Sequence, residues 1–155
     1  MGVRVHHTAL IVADVETSLR FYRDGLGLAM MMDAEFDGEW TKLFGARSDR
    51  LRSVFLGDPK DGAAGIVELV TFSGGADAGA APEAPANGFF LLSFNVDVSA
   101  TVERLGRLGF GGTRSIDVHS PRGPVAMVTL RDPDGVLVEL IDLPDGTVAT
   151  MTQQS

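Results

Sequence analysis

Residues 5–12, VHHTALIV, alternate so that Val5, His7, Ala9 and Ile11 share one face of an extended chain and His6, Thr8, Leu10 and Val12 the other. A period of two predicts a strand. Asp14 stands where a helix needs a cap, and Leu19, Phe21, Tyr22 and Leu26 then recur at helical spacing, predicting a helix that stops at Gly25 or Gly27. Residues 28–35, 40–46, 51–56 and 66–72 read as short strands, punctuated by FDGE and GDPKDGAAG. The stretch 73–88, SGGADAGAAPEAPANG, carries no apolar period and reads as a flexible connector.

Beyond the connector the same order returns. FFLLSFNV predicts a strand, Asp97 a cap, and Val102, Leu105 and Leu108 a helix that ends at Gly109. RSIDVH, VAMVTL and VLVELI then predict three strands, with a DPDG turn before the last. Gly27 lies 13 residues after Asp14 and Gly109 lies 12 after Asp97, and the halves close alike in GIVELV and GVLVELI. The expected fold class is therefore α+β, with two βαβββ modules at 3–72 and 89–143, a connector at 73–88 and a loosely held tail at 144–155.

Composition narrows the function classes. The 155 residues suffice for one substantial core, while a net charge of -8 sets the average field against nucleic acid and anionic lipid. Neither partner is expected. The chain has no cysteine, so thiolate nucleophiles, disulfides and thiolate metal sites are excluded, and a metal would need imidazole and carboxylate ligands. No run approaches the roughly 20 apolar residues of a spanning helix, so a soluble, cytoplasmic protein is expected.

Two carboxylates stand out. Glu68 lies between Ile66 and Val70 on one face of its strand, and Glu139 between Leu137 and Ile141 on one face of another. A carboxylate in apolar surroundings needs a proton, a cationic partner or a metal ion. His7 is a candidate ligand at the head of the first strand, whereas His6, on the other face, reads as structural.

HHTALIVADVETSLRFYRDGLGL, GIVELVTF and LRDPDGVLVELID together resemble the vicinal oxygen chelate superfamily of glyoxalase I, bleomycin-resistance proteins and extradiol dioxygenases. The resemblance covers about residues 3–143. It implies sheets curled into an open cup around a divalent metal, with a substrate presenting neighbouring oxygens. Carried over by position, it implies metal ligands at His7, Glu68 and Glu139; with an ion bound, one of the two catalytic candidates, Glu68 and Glu139, would shuttle a proton. It also implies a homodimer.

One position departs from the pattern. The second histidine should stand six residues before Asp97, and Leu91 occupies that place. Two functions therefore remain open. The first is a lyase, isomerase or dioxygenase using Fe, Mn, Zn or Ni on a small substrate with vicinal oxygens. The second is a metal-free binding or resistance-type protein that sequesters a hydrophobic compound. Phe55, Leu91, Phe94 and Met127, along with Phe36 and Trp40, are candidate substrate contacts; Arg52 and Arg122 are candidates for an anionic group, and His119 for a loop-donated ligand.

Overall fold

A computed structural model describes residues 2–120 and 123–143 of the chain. Arg122 and the tail from residue 144 lie outside the described residues. The chain divides into two compact units, one running to Ala81 and including Pro133–Gly135, the other comprising Pro82–Asp132 and the chain from Val136. Each unit contains one open, mixed four-stranded sheet.

In the first unit the strands are β1 (His7–Ile11), β2 (Ala29–Asp37), β3 (Arg50–Gly57) and β4 (Ile66–Phe72), in the spatial order β1-β4-β3-β2. β1 runs parallel to β4, and β3 pairs antiparallel with both β4 and β2. The connection from β1 to β2 is α1 (Val15–Leu19), which continues without a break into a π-wound turn, Arg20–Gly25. Asp14 caps it as expected: one carboxylate oxygen accepts from the Glu16 N–H at 3.2 Å and the other from the Thr17 hydroxyl at 2.6 Å.

The π turn departs from the regular helix predicted. The N–H of Leu26 reaches back to the Phe21 carbonyl and that of Leu28 to the Tyr22 carbonyl. The wider turn rotates the adjacent aromatics Phe21 and Tyr22 inward, and both are fully buried. Gly27, at φ 92°, takes the left-handed conformation that ends the segment.

A second departure falls at residues 40–46. The expected strand is instead a short helix, α2 (Trp40–Phe44), closed by Gly45 at φ 67°. Local interactions override the strand propensity of Trp and Phe: the Asp49 carboxylate accepts the Thr41 N–H at 2.8 Å, and Trp40 stacks on Phe44 one turn away.

Strand alternation gives the first sheet two unlike faces. Leu10, Val54, Leu56, Val67 and Leu69 point to the side covered by α1 and the π turn, where Val15, Leu19, Phe21, Tyr22 and Leu26 complete a buried core. His7, Ala9, Ser53, Phe55, Glu68 and Val70 belong to the opposite face.

The second unit repeats the order. Its strands are β5 (Leu92–Asn95), β6 (Arg114–Ser120), β7 (Gly123–Arg131) and β8 (Leu137–Ile141), arranged β5-β8-β7-β6 with β5 parallel to β8. Between β5 and β6 runs α3 (Val98–Arg107), capped by Asp97, whose carboxylate accepts the Ala100 N–H at 2.9 Å. Val98, Thr101 and Leu105 of α3 are buried, as are Val128, Leu130, Val138 and Leu140 of the sheet. No described helix is long and apolar enough to cross a membrane.

Leu69 is wholly buried in the core of the first unit. Leu69→Ala should lower unfolding stability by about 2–5 kcal/mol. Urea titration followed by circular dichroism measures this, with a shifted midpoint and an unchanged slope expected.

Candidate functional site

Two residues with chemistry meet on the free face of the first sheet. β1 pairs with β4 in a register that sets Ala9 opposite Glu68, so His7, two residues earlier on the same strand, faces the same side. The His7 Nε2 lies 3.3 Å from Glu68 Oε2. Phe55 stands opposite Glu68 on the other neighbouring strand, and its ring centroid is 5.5 Å from that of His7.

Glu68 is largely enclosed, with 15% of its side chain exposed, and no cationic guanidinium or ammonium pairs with it among the described residues. Its other oxygen, Oε1, accepts the Ser53 hydroxyl at 2.5 Å. Ser53 is itself buried, so this bond both satisfies the hydroxyl and holds the carboxylate in one orientation. The alternation of β3 alone suggests nothing about Ser53, whose role lies in the register that puts it on the face carrying Glu68.

Strand alternation places His6 on the opposite face, as a structural residue. The structure brings its ring to the same end of the site: His6 Nδ1 is 2.8 Å from His7 Nδ1, and the rings meet edge to face. His6 lies just ahead of β1, where strand alternation no longer constrains it.

The site opens into a cavity of about 920 Å³ on this face of the first sheet. His7, Glu68, Ser53 and Phe55 form one part of its wall, and Phe36, Trp40, Phe44 and Phe72 another. Arg52 is absent from this lining. It is out of phase with Ser53 on β3 and faces the α1 side, where its guanidinium forks onto Asp33 at 2.9 and 2.7 Å and approaches Glu16 at 3.6 Å.

The second unit carries the matching positions with different side chains. Ser93 stands opposite Glu139 as Ala9 stands opposite Glu68, so Leu91 takes the position that His7 holds in the first module. The Ser93 hydroxyl donates to Glu139 Oε1 at 2.7 Å. Both glutamates thus bind a serine, but Ser53 reaches Glu68 from β3 and Ser93 reaches Glu139 from β5. Met127 lies opposite Ile141, two residues along from Glu139, on the same face. Phe94 is opposite Leu140 and so shares the core-facing side of β5. His119 is on β6, opposite Pro124.

Whether these residues suit a divalent ion is a matter of donor spacing. Two ligands at about 2.0–2.2 Å from one ion, at adjacent coordination positions, stand roughly 3.0–3.5 Å apart. The His7–Glu68 separation fits that spacing. Among the described residues no group of three or more His, Cys, Asp or Glu is clustered to hold an ion. The first module therefore offers a pair of donors that fit, and Leu91 offers none.

Comparison with known proteins now places the chain. A profile described as the Glyoxalase/Bleomycin resistance protein/Dioxygenase superfamily matches residues 4–140. The chain belongs to this superfamily. It is similar to the lactoylglutathione lyase-like protein terB of Aspergillus terreus, 40% identical over 151 residues, covering 90% of this chain and 75% of that protein. Its fold matches a glyoxalase family protein from Bacillus cereus at TM-score 0.68 and 21% identity, covering 92% of this chain and 95% of that one. The trypanothione-dependent glyoxalase I of Leishmania major matches at TM-score 0.62 and 22% identity, covering 99% and 94%.

The Arg52–Asp33 fork gives this glyoxalase-superfamily chain a defined response to acid. Hydrogen bonds from Arg52 hold the Asp33 carboxyl below its ordinary value, against a smaller opposing effect of burial. A depressed native value means the unfolded chain binds the proton first, so this stabilisation is present above about pH 4 and is lost as pH falls through the native value. Asp33→Asn should be less stable at neutral pH and show a shallower loss below about pH 4, measured by urea midpoints across that interval.

Proposed function

We propose that the protein is a lyase- or isomerase-type enzyme of the glyoxalase superfamily, acting on a small substrate with neighbouring oxygen atoms. The observation that carries this reading is the His7–Glu68 pair, 3.3 Å apart in the wall of a large cavity and braced by Ser53. Members of the family generally use a divalent metal. His7 Nε2 and Glu68 Oε2 are the atoms that would hold it, and the ion would supply Lewis-acid polarisation of a substrate oxygen.

The remaining chemistry belongs to the chain. Ser53 occupies Glu68 Oε1, which leaves Oε2 as the oxygen directed at His7 and the cavity. Whichever of Glu68 and Glu139 does not engage the ion can take a proton from a C–H beside a carbonyl and return it to the neighbouring carbon. Such a shift conserves atoms and needs no external oxidant. Phe55, packed against the His7 ring, limits the orientations that ring can take. Ring-cleaving oxygenation is a weaker fit, because the second histidine of that ligand set is replaced by Leu91.

Glu139 is retained as the candidate third ligand by its equivalence to Glu68, and homodimer assembly belongs to the same proposal. A second reading, a metal-free binder of apolar compounds, is favoured by Leu91 and by the aromatic lining of the cavity.

Calorimetric titration of Mn(II), Fe(II), Zn(II) and Ni(II) into untagged protein decides between the two. One-site binding by wild type, abolished in His7→Ala and weakened about tenfold in Ser53→Ala, is expected. Loss in Glu139→Gln would assign the third ligand to the second module. No binding by wild type sinks the metal-dependent reading and leaves the binder.

A further inference from the structure

Five of the chain's eleven aromatic residues line the cavity of the first unit: Phe36, Trp40, Phe44, Phe55 and Phe72. Two of them come from α2, which lies in the connection between β2 and β3 and takes no part in the sheet. Trp40 and Phe44 are one helical turn apart, their planes within 8° of parallel and their centroids separated by 5.7 Å. Phe72 meets Phe44 edge to face at 6.5 Å. Phe44 nevertheless remains 61% exposed and Phe36 41%. That much uncovered aromatic surface around a concavity is surface for a ligand.

Charge selects among ligands. The ionisable residues of the wall are His7, Arg47, Glu68 and Asp77. Arg47 is the sole guanidinium among the described lining residues, and Asp77 holds it at 2.6 Å. A thiol-tripeptide conjugate brings two carboxylates that need cationic partners, whereas this wall sets two carboxylates, Glu68 and Asp77, against its one guanidinium. A flat, uncharged ring system loses little hydration on entry and gains stacking against Trp40 and Phe44.

We propose that Trp40 and Phe44 form the specificity-determining wall of this cavity, and that its ligand is an uncharged, planar fused-ring compound bearing neighbouring oxygens rather than an anionic thiol-peptide conjugate. The proposal deepens the functional reading above and rests on it in taking this cavity as the substrate site. Neighbouring oxygens at one edge of the ring system meet the His7–Glu68 end, while the rings lie along the α2 side.

The chain has a single tryptophan, so its emission reports on Trp40 alone. Phenanthrenequinone, uncharged and flat with two adjacent oxygens, is titrated into the full-length protein in the presence of chelator, with S-hexylglutathione as the anionic competitor. Saturable one-site quenching is expected, with no displacement by a tenfold excess of the competitor. Phe44→Ala should weaken binding about tenfold. Phe44→Leu keeps apolar bulk without the ring, and serves if the alanine variant fails to fold; a several-fold loss is expected.

Three results would overturn the proposal: no quenching of the wild type, displacement by S-hexylglutathione, or wild-type affinity in a folded Phe44 variant. Quinone binding without metal binding by the same protein leaves this proposal standing and sinks the metal-dependent reading. Metal binding with preference for the glutathione derivative does the reverse.

Discussion

The candidate site depends on one strand register. β1 is held to β4 in parallel with Ala9 opposite Glu68, and that pairing alone puts a histidine and a glutamate on the same face within a hydrogen-bond length. A slip of one residue would turn His7 to the side covered by α1. What prevents the slip is the other face. Leu10, Leu69, Val54 and Leu56 all pack beneath the helix, and moving β1 would push Leu10 into the cavity and leave a void behind. The hydrophobic core on one side is therefore the device that fixes the chemistry on the other.

The same register explains why Glu68 is tolerated in an enclosed strand. A carboxylate without a cationic partner needs its oxygens hydrogen-bonded, and Ser53 and His7 each address one of them. In the second module Glu139 has the Ser93 hydroxyl, from the opposite neighbouring strand, and Leu91 where the imidazole would be. The modules share a backbone pattern but support their glutamates by different routes. Chemistry that needs both a carboxylate and an imidazole is thus concentrated in the first.

Much of this was legible in the chain. Alternation located eight strands' worth of signal, Asp14 and Asp97 marked the starts of α1 and α3, and the paired VELV and VELI segments revealed the repeat. Residues whose conformation depends on neighbours distant in sequence were not legible. Trp40–Phe44 has the composition of a strand, and becomes a helix through Asp49 and its own ring stacking. Arg52 looked available for an anion because charge is visible in a sequence while strand phase relative to Asp33 is not. Ser53 was silent because a buried serine has meaning only once the residue across the ladder is known.

The asymmetry between the modules follows from the lengths of their connections. Residues 38–49 separate β2 from β3, whereas two residues separate β6 from β7. Twelve residues can add a helix beside the sheet. In the first module that addition supplies Trp40 and Phe44 next to a face that already carries His7 and Glu68. A repeat built from identical halves would have two equal shallow surfaces. Lengthening one connection and losing one histidine leaves one face with both walls and donors, and the specificity of that face then varies with the inserted segment while the register beneath it stays fixed.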